Sequence, residues 1–286
     1  MPFFRTIVAA LCLCSPLSSH ALVNAGNPGG NTTAPTGLDG QPEDPGFANM
    51  FVVDGGTAVY LGEGWLLTAN HVSAKWIELD GVRVPSEQVV DKVKRVKGAD
   101  LKLIHLKEAL DLPAVKIAAQ PPEVGAEVIM IGAGRISEDK LTFWQVDQST
   151  KPWAWTELPD AKGANMAGVL SKGGYQMAWG TNRISAVQGK WLVTDFSPPS
   201  SQATPFEAQA ISQDSGGAMF AYTDEGWKLI GTMVTVGRLL PDQPGVVKPE
   251  KSNTLVVGSG VFGNLTMSLL LPPVRQEIIE ITGLGL

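Results

Sequence analysis

The chain has 286 residues, a net charge of −6 and 17% charged side chains, against 32 glycines and 20 prolines. Few charges and many turn residues exclude a coiled coil or long-helix protein and favour short strands. The acidic balance speaks against nucleic acid as a partner, which needs clustered Lys and Arg, and the apolar content suffices for one large domain or two small ones.

Residues 1–21 read as an export signal: Arg5 gives a positive start, Thr6 to Leu17 an apolar run, and Ser19-His20-Ala21 small residues at a cleavage site after Ala21. The run is short for a membrane span, so no integral anchor is expected after cleavage, and the protein is expected to be secreted or periplasmic. Cys12 and Cys14 leave with the signal. The exported chain then has no disulfide and no thiolate metal site, and His71 and His105 are few for zinc, so neither metal nor cofactor is expected.

Residues 22–47, rich in Gly, Pro, Asn and Thr, read as an extended arm or linker. Strand candidates follow at 58–61, 65–68, 75–79, 89–96, 101–106, 115–118 and 127–132, and Asp80-Gly81 is a strong hairpin dipeptide. Residues 138–175 look less regular, and their Trp144, Trp153 and Trp155 read as partly buried packing. Further strands are expected at 183–187, 191–196, 218–222, 227–236 and 254–258. Pro273, Val274, Ile278 and Ile281 have the spacing of a short terminal helix. Gly258-Ser-Gly-Val-Phe-Gly263 fits a dinucleotide fingerprint in letters only, because Pro272-Pro273 breaks the helix that such a site needs.

Three segments carry chemistry, in the order His, Asp, Ser. Leu67-Thr-Ala-Asn-His71 ends a strand on His71, Asp100 opens an apolar strand, and Gln213-Asp-Ser-Gly-Gly217 sets Ser215 in a glycine turn. A serine hydroxyl needs a base to become a nucleophile, the base needs an acid to orient it, and the oxyanion needs backbone N–H donors.

Together these segments resemble the trypsin-like (chymotrypsin-fold) serine peptidases. The match is strong at Leu67 to His71 and at Asp214-Ser215-Gly216-Gly217, and looser at Asp100 to Leu106. Gly55 to Trp65, Leu229 to Gly237 and Gly260-Val261-Phe262 also resemble that family's strands, so the likeness spans about residues 48–283. It implies an all-β fold of two six-stranded antiparallel β-barrels with a C-terminal helix. The first barrel would take residues 48–135, a Trp-rich inter-barrel region 136–178, the second barrel 179–270 and the helix and tail 271–286.

The resemblance implies an endopeptidase acting on polypeptide substrates, with His71 as base, Asp100 as its orienting acid and Ser215 as nucleophile. The N–H groups of Gln213 and Ser215 would form the oxyanion hole. Gln209, at the pocket base, and Val234, Thr235, Val236 and Gly237, along the cleft strand, would bind substrate. Gln213 stands where the family prefers Gly, and a side chain there threatens to strain or flip that peptide. This leaves open an impaired homologue that only binds. Gln209 replaces the carboxylate behind Arg/Lys specificity, which is therefore not expected. The family buries a new N-terminal amine against the Asp before the nucleophile, here Asp214. Cleavage after Ala21 would expose Leu22 for that role, with a disordered arm and another partner for Asp214 as the alternative.

Overall fold

The computed structural model describes residues 22–25, 31–36, 44–200, 202–247 and 256–286; the expected signal lies outside them. The strands of the N-terminal half are β1 (Val23–Asn24), β2 (Met50–Val53), β3 (Gly56–Gly62), β4 (Trp65–Ala69), β5 (Trp76–Leu79), β6 (Val82–Pro85), β7 (Val90–Arg95) and β8 (Leu101–Leu106). Then come β9 (Glu127–Gly132), β10 (Ile136–Asp147), β11 (Ala154–Leu158), β12 (Met166–Lys172), β13 (Ala178–Gln188), β14 (Trp191–Asp195) and β15 (Ala208–Gln209). The last are β16 (Ala218–Thr223), β17 (Gly226–Gly237), β18 (Val246–Val247), β19 (Val256–Val257), β20 (Ser259–Val261) and β21 (Leu265–Leu270). The helical segments described are one turn, α1 (Ser86–Val89), a terminal helix, α2 (Arg275–Thr282), and 3-10 turns at Phe47–Asn49 and Pro272–Val274.

The chain is mostly β. Strands β13-β14-β21-β17-β16-β9 close a six-stranded barrel, and β6-β5-β2-β3-β4-β8-β7 form a seven-stranded antiparallel sheet. The first half is therefore a seven-stranded sheet and not a six-stranded closed barrel. Strand β9, expected in the first barrel, belongs to the second, where it pairs with β13 and β16. Its sequence marks it as a strand but not which sheet it joins. Its two faces settle that: Val128 and Met130 fill the barrel, while Ile129 and Ile131 face the core shared with the first sheet.

The same alternation builds the first sheet. In β3 and β4, Val59, Leu61, Trp65 and Leu67 face the shared core, while Ala58, Tyr60 and Leu66 face a second one. Strand β3 is buried along its length, as a central strand covered on both faces must be. Ile278, Leu284 and Leu286 carry the C-terminal segment into the shared core. The Asp80-Gly81 hairpin forms as read, with both residues at positive φ (50° and 75°). Residues 115–118 make no strand, only a bridge from Ile117 to Leu229.

Two expectations change more. Residues 138–175 hold β10, β11 and β12, which with β20 make a four-stranded sheet. Thr142, Trp144 and Val146 alternate into its buried face. Residues 22–25 are buried and not a loose arm: within them β1 pairs Val23 with Gln209 and Asn24 with Ala208.

Candidate active site

His71 and Asp100 meet through register. Strands β4 and β8 are antiparallel with Ala69 opposite Leu101, so the residues just beyond one strand and just before the other share one end of the sheet. Asp100 grips His71 twice: Oδ1 accepts the backbone N–H at 3.1 Å, and Oδ2 faces ring Nδ1 at 2.7 Å. An ionised carboxylate only accepts, so Nδ1 carries the proton and Nε2 is left as the basic nitrogen. The pair stays open to solvent, with side-chain exposures of 46% and 31%. Lys102 anchors the loop beyond His71 by donating to the Val72 and Ser73 carbonyls. Burial, with help from Arg95, lowers the pKa of that ammonium, and Asp100 opposes the shift.

Ser215 comes from the other half. Its turn sits between β3 and β17: Thr57 N–H donates to the Ser215 carbonyl and Gly216 N–H to the Met233 carbonyl, each at 2.8 Å. Gly216 has φ +86°, and a side chain there would collide with the Thr57 carbonyl and the Thr68 hydroxyl, so the turn requires glycine. Gly56 joins the halves, because the space a Cβ would need is already taken by the Ser215 carbonyl and by Val72, next to His71. Ser215 Oγ donates to the Val234 carbonyl at 3.3 Å rather than to His71.

Gln213 adopts φ +79°, the left-handed region that its glycine-like position demands. The Ser212 carbonyl accepts from Arg135 N–H at 3.2 Å, and the Gln213 carbonyl accepts from Thr57 Oγ1 at 3.4 Å. A trans peptide directs its N–H opposite its carbonyl, so the Gln213 N–H faces away from Arg135. Among the described residues, neither that N–H nor the N–H of Ser215 has a hydrogen-bond partner. Both remain free for an oxyanion. The strain should be measurable: Gln213→Gly should raise stability by a net ~0.5–1 kcal/mol, relief of the left-handed conformer exceeding glycine's entropy loss. A denaturant midpoint that rises with unchanged slope bears this out, and a falling one contradicts it.

Asp214 is fully buried and is held by backbone N–H groups. Oδ1 accepts from Gly134 and Oδ2 from Ile211, each at 2.8 Å, and the Leu22 N–H is the third donor. Desolvation raises its pKa to about 7, against the pull of those three donors. Gly132 and Gly134 leave the room this carboxylate fills. Leu22 itself is buried at φ +55°.

The substrate-binding candidates divide. Val234 touches Ser215 through its carbonyl, Thr235 is exposed, and Val236 and Gly237 are partly exposed along the end of β17. Gln209 is fully buried on β15, and neither carboxamide atom has a hydrogen-bond partner. Its Oε1 lies 2.9 Å from where a Cβ on Gly260 would stand. His105 is apart from the site: it faces Asp91 at 3.1 Å and packs on Trp65 with centroids 4.6 Å apart. Sequence reasoning missed Thr57 and Lys102, whose roles arise from pairing between distant segments and leave no local signal. Among the described residues, no three side chains of His, Cys, Asp or Glu converge as a metal site would need. No family model matches the chain, and no curated protein matches it either.

Proposed function

We propose that the chain is an exported serine endopeptidase of the trypsin-like kind, built on two β domains with the site in the cleft between them. The observation that carries this reading is the Asp100–His71 pair, 2.7 Å apart, joined through Gly56 to a serine turn whose flanking N–H groups are free. Ser215 Oγ turns about its Cα–Cβ bond from the Val234 carbonyl to His71 Nε2, gives up its proton and attacks the peptide carbonyl. The N–H groups of Gln213 and Ser215 hold the oxyanion. His71 hands the proton to the departing amine, and a water activated by the same ring then frees the acyl group. Catalytic hydrogen bonds often form only when substrate binds, which fits a Ser215 hydroxyl that bonds the Val234 carbonyl in the free protein.

The observed serine rotamer favours a second reading, a homologue that binds polypeptide without cutting it. A randomised library of internally quenched peptides decides between them. The peptidase reading expects cleavage by the chain starting at Leu22 and none by its Ser215→Ala variant; peptide binding with no cleavage supports the second reading.

A further inference from the structure

Two aromatic rings hang from segments tethered to the turn that holds Ser215. Trp76 on β5 and Tyr175, between β12 and β13, meet edge to face with centroids 5.8 Å apart. The Arg83 guanidinium covers both, 4.4 Å from the first ring and 5.3 Å from the second, and pairs with Glu78 at 3.4 Å. Both rings are partly exposed, and neither belongs to a core cluster.

Their backbone tethers locate them. The Trp76 carbonyl accepts from Asp54 N–H at 3.0 Å, in the turn that leads into Gly56 and Thr57. Gln176, next to Tyr175, donates to the Gly134 carbonyl at 3.4 Å, and neighbouring Ala133 donates to Thr57 Oγ1 at 2.8 Å. Both rings therefore hang from the segments that back Ser215 on its Thr57 side, away from β17. We propose that Trp76 and Tyr175, capped by Arg83, bind the departing half of the substrate and select aromatic side chains there. This rests on the peptidase reading, in which β17 takes the acyl half.

The two rings offer a face and an edge to a third ring, and the guanidinium holds them in place while remaining largely in solvent. The test uses acyl transfer. The chain starting at Leu22 is acetylated by 4-nitrophenyl acetate, and the acetyl-enzyme is offered phenylalanyl-phenylalaninamide or glycyl-glycinamide. The dipeptide amine attacks the acetyl carbonyl and loses a proton to His71; the bond to Ser215 Oγ breaks, and Oγ takes that proton back. Capture of the aromatic amide should exceed capture of the glycine amide about tenfold, and Trp76→Ala or Tyr175→Ala should each lower that ratio about three- to tenfold. Trp76→Phe should keep most of it. A purely structural role lowers both captures together and leaves the ratio unchanged, which overturns the proposal, as does equal capture by the unaltered chain. Absence of 4-nitrophenol release overturns the peptidase reading as well, whereas release with equal capture overturns the proposal alone.

Discussion

Replacing His71 with Ala should lower peptide turnover by a factor on the order of 10⁶, and adding Ser215→Ala should lower it no further. Under the proposed peptidase reading the two side chains act as one unit: without the base the hydroxyl keeps its proton, and without the hydroxyl the base has nothing to activate. Asp100→Asn should cost on the order of 10⁴-fold. Asp100 Oδ2 accepts from ring Nδ1 at 2.7 Å, and an amide nitrogen there would donate instead, leaving the proton on Nε2 where the base is needed. Initial rates on a cleaved quenched peptide measure both effects. A loss below about tenfold for His71→Ala would remove it from the mechanism.

A single extra residue at the N-terminus should also cost activity by orders of magnitude. We propose that cleavage after Ala21 turns the Leu22 N–H that meets Asp214 into a charged amine. Leaving a buried ionised carboxylate without such a partner costs roughly 3–5 kcal/mol, so retaining Ala21 should lower activity on the order of 10²- to 10³-fold. Stability against pH reports the same pairing independently. In the uncut chain the folded-state pKa of Asp214 is raised to about 7, so the folded state binds its proton more tightly than the unfolded state. Stability is then fully present below about pH 4 and falls by about 4 kcal/mol as pH rises through 7. In the chain starting at Leu22 the amine favours the ionised carboxylate, and this loss between pH 4 and 7 should vanish. Denaturant titrations across that range compare the two chains. Equal slopes and equal activities would sink the idea.

Local chemistry was readable where it is local. Asp80-Gly81 announces its hairpin because both residues tolerate positive φ. Ser215-Gly216-Gly217 announces a tight turn for the same reason. Pairing between distant segments was not readable. The strand at Glu127–Gly132 could join either half until its neighbours were known. The alternation at Thr142, Trp144 and Val146 was obscured because a polar Thr142 lies on the buried face and an apolar Phe143 on the other. Residues 22–25 look like linker because the strand that buries them, Ala208–Gln209, lies far along the chain. Of the site, residue types and order were visible, whereas the two-point grip of Asp100 and the positive φ of Gln213 are products of register and turn.

The most direct measurement is the site of covalent capture. The chain starting at Leu22, treated with a fluorophosphonate and digested, should carry the phosphonyl group on the peptide containing Ser215. Labelling should disappear in Ser215→Ala and fall sharply in His71→Ala. A correctly folded chain that takes no label, or takes it at another residue, would contradict a nucleophilic Ser215 and with it the peptidase reading.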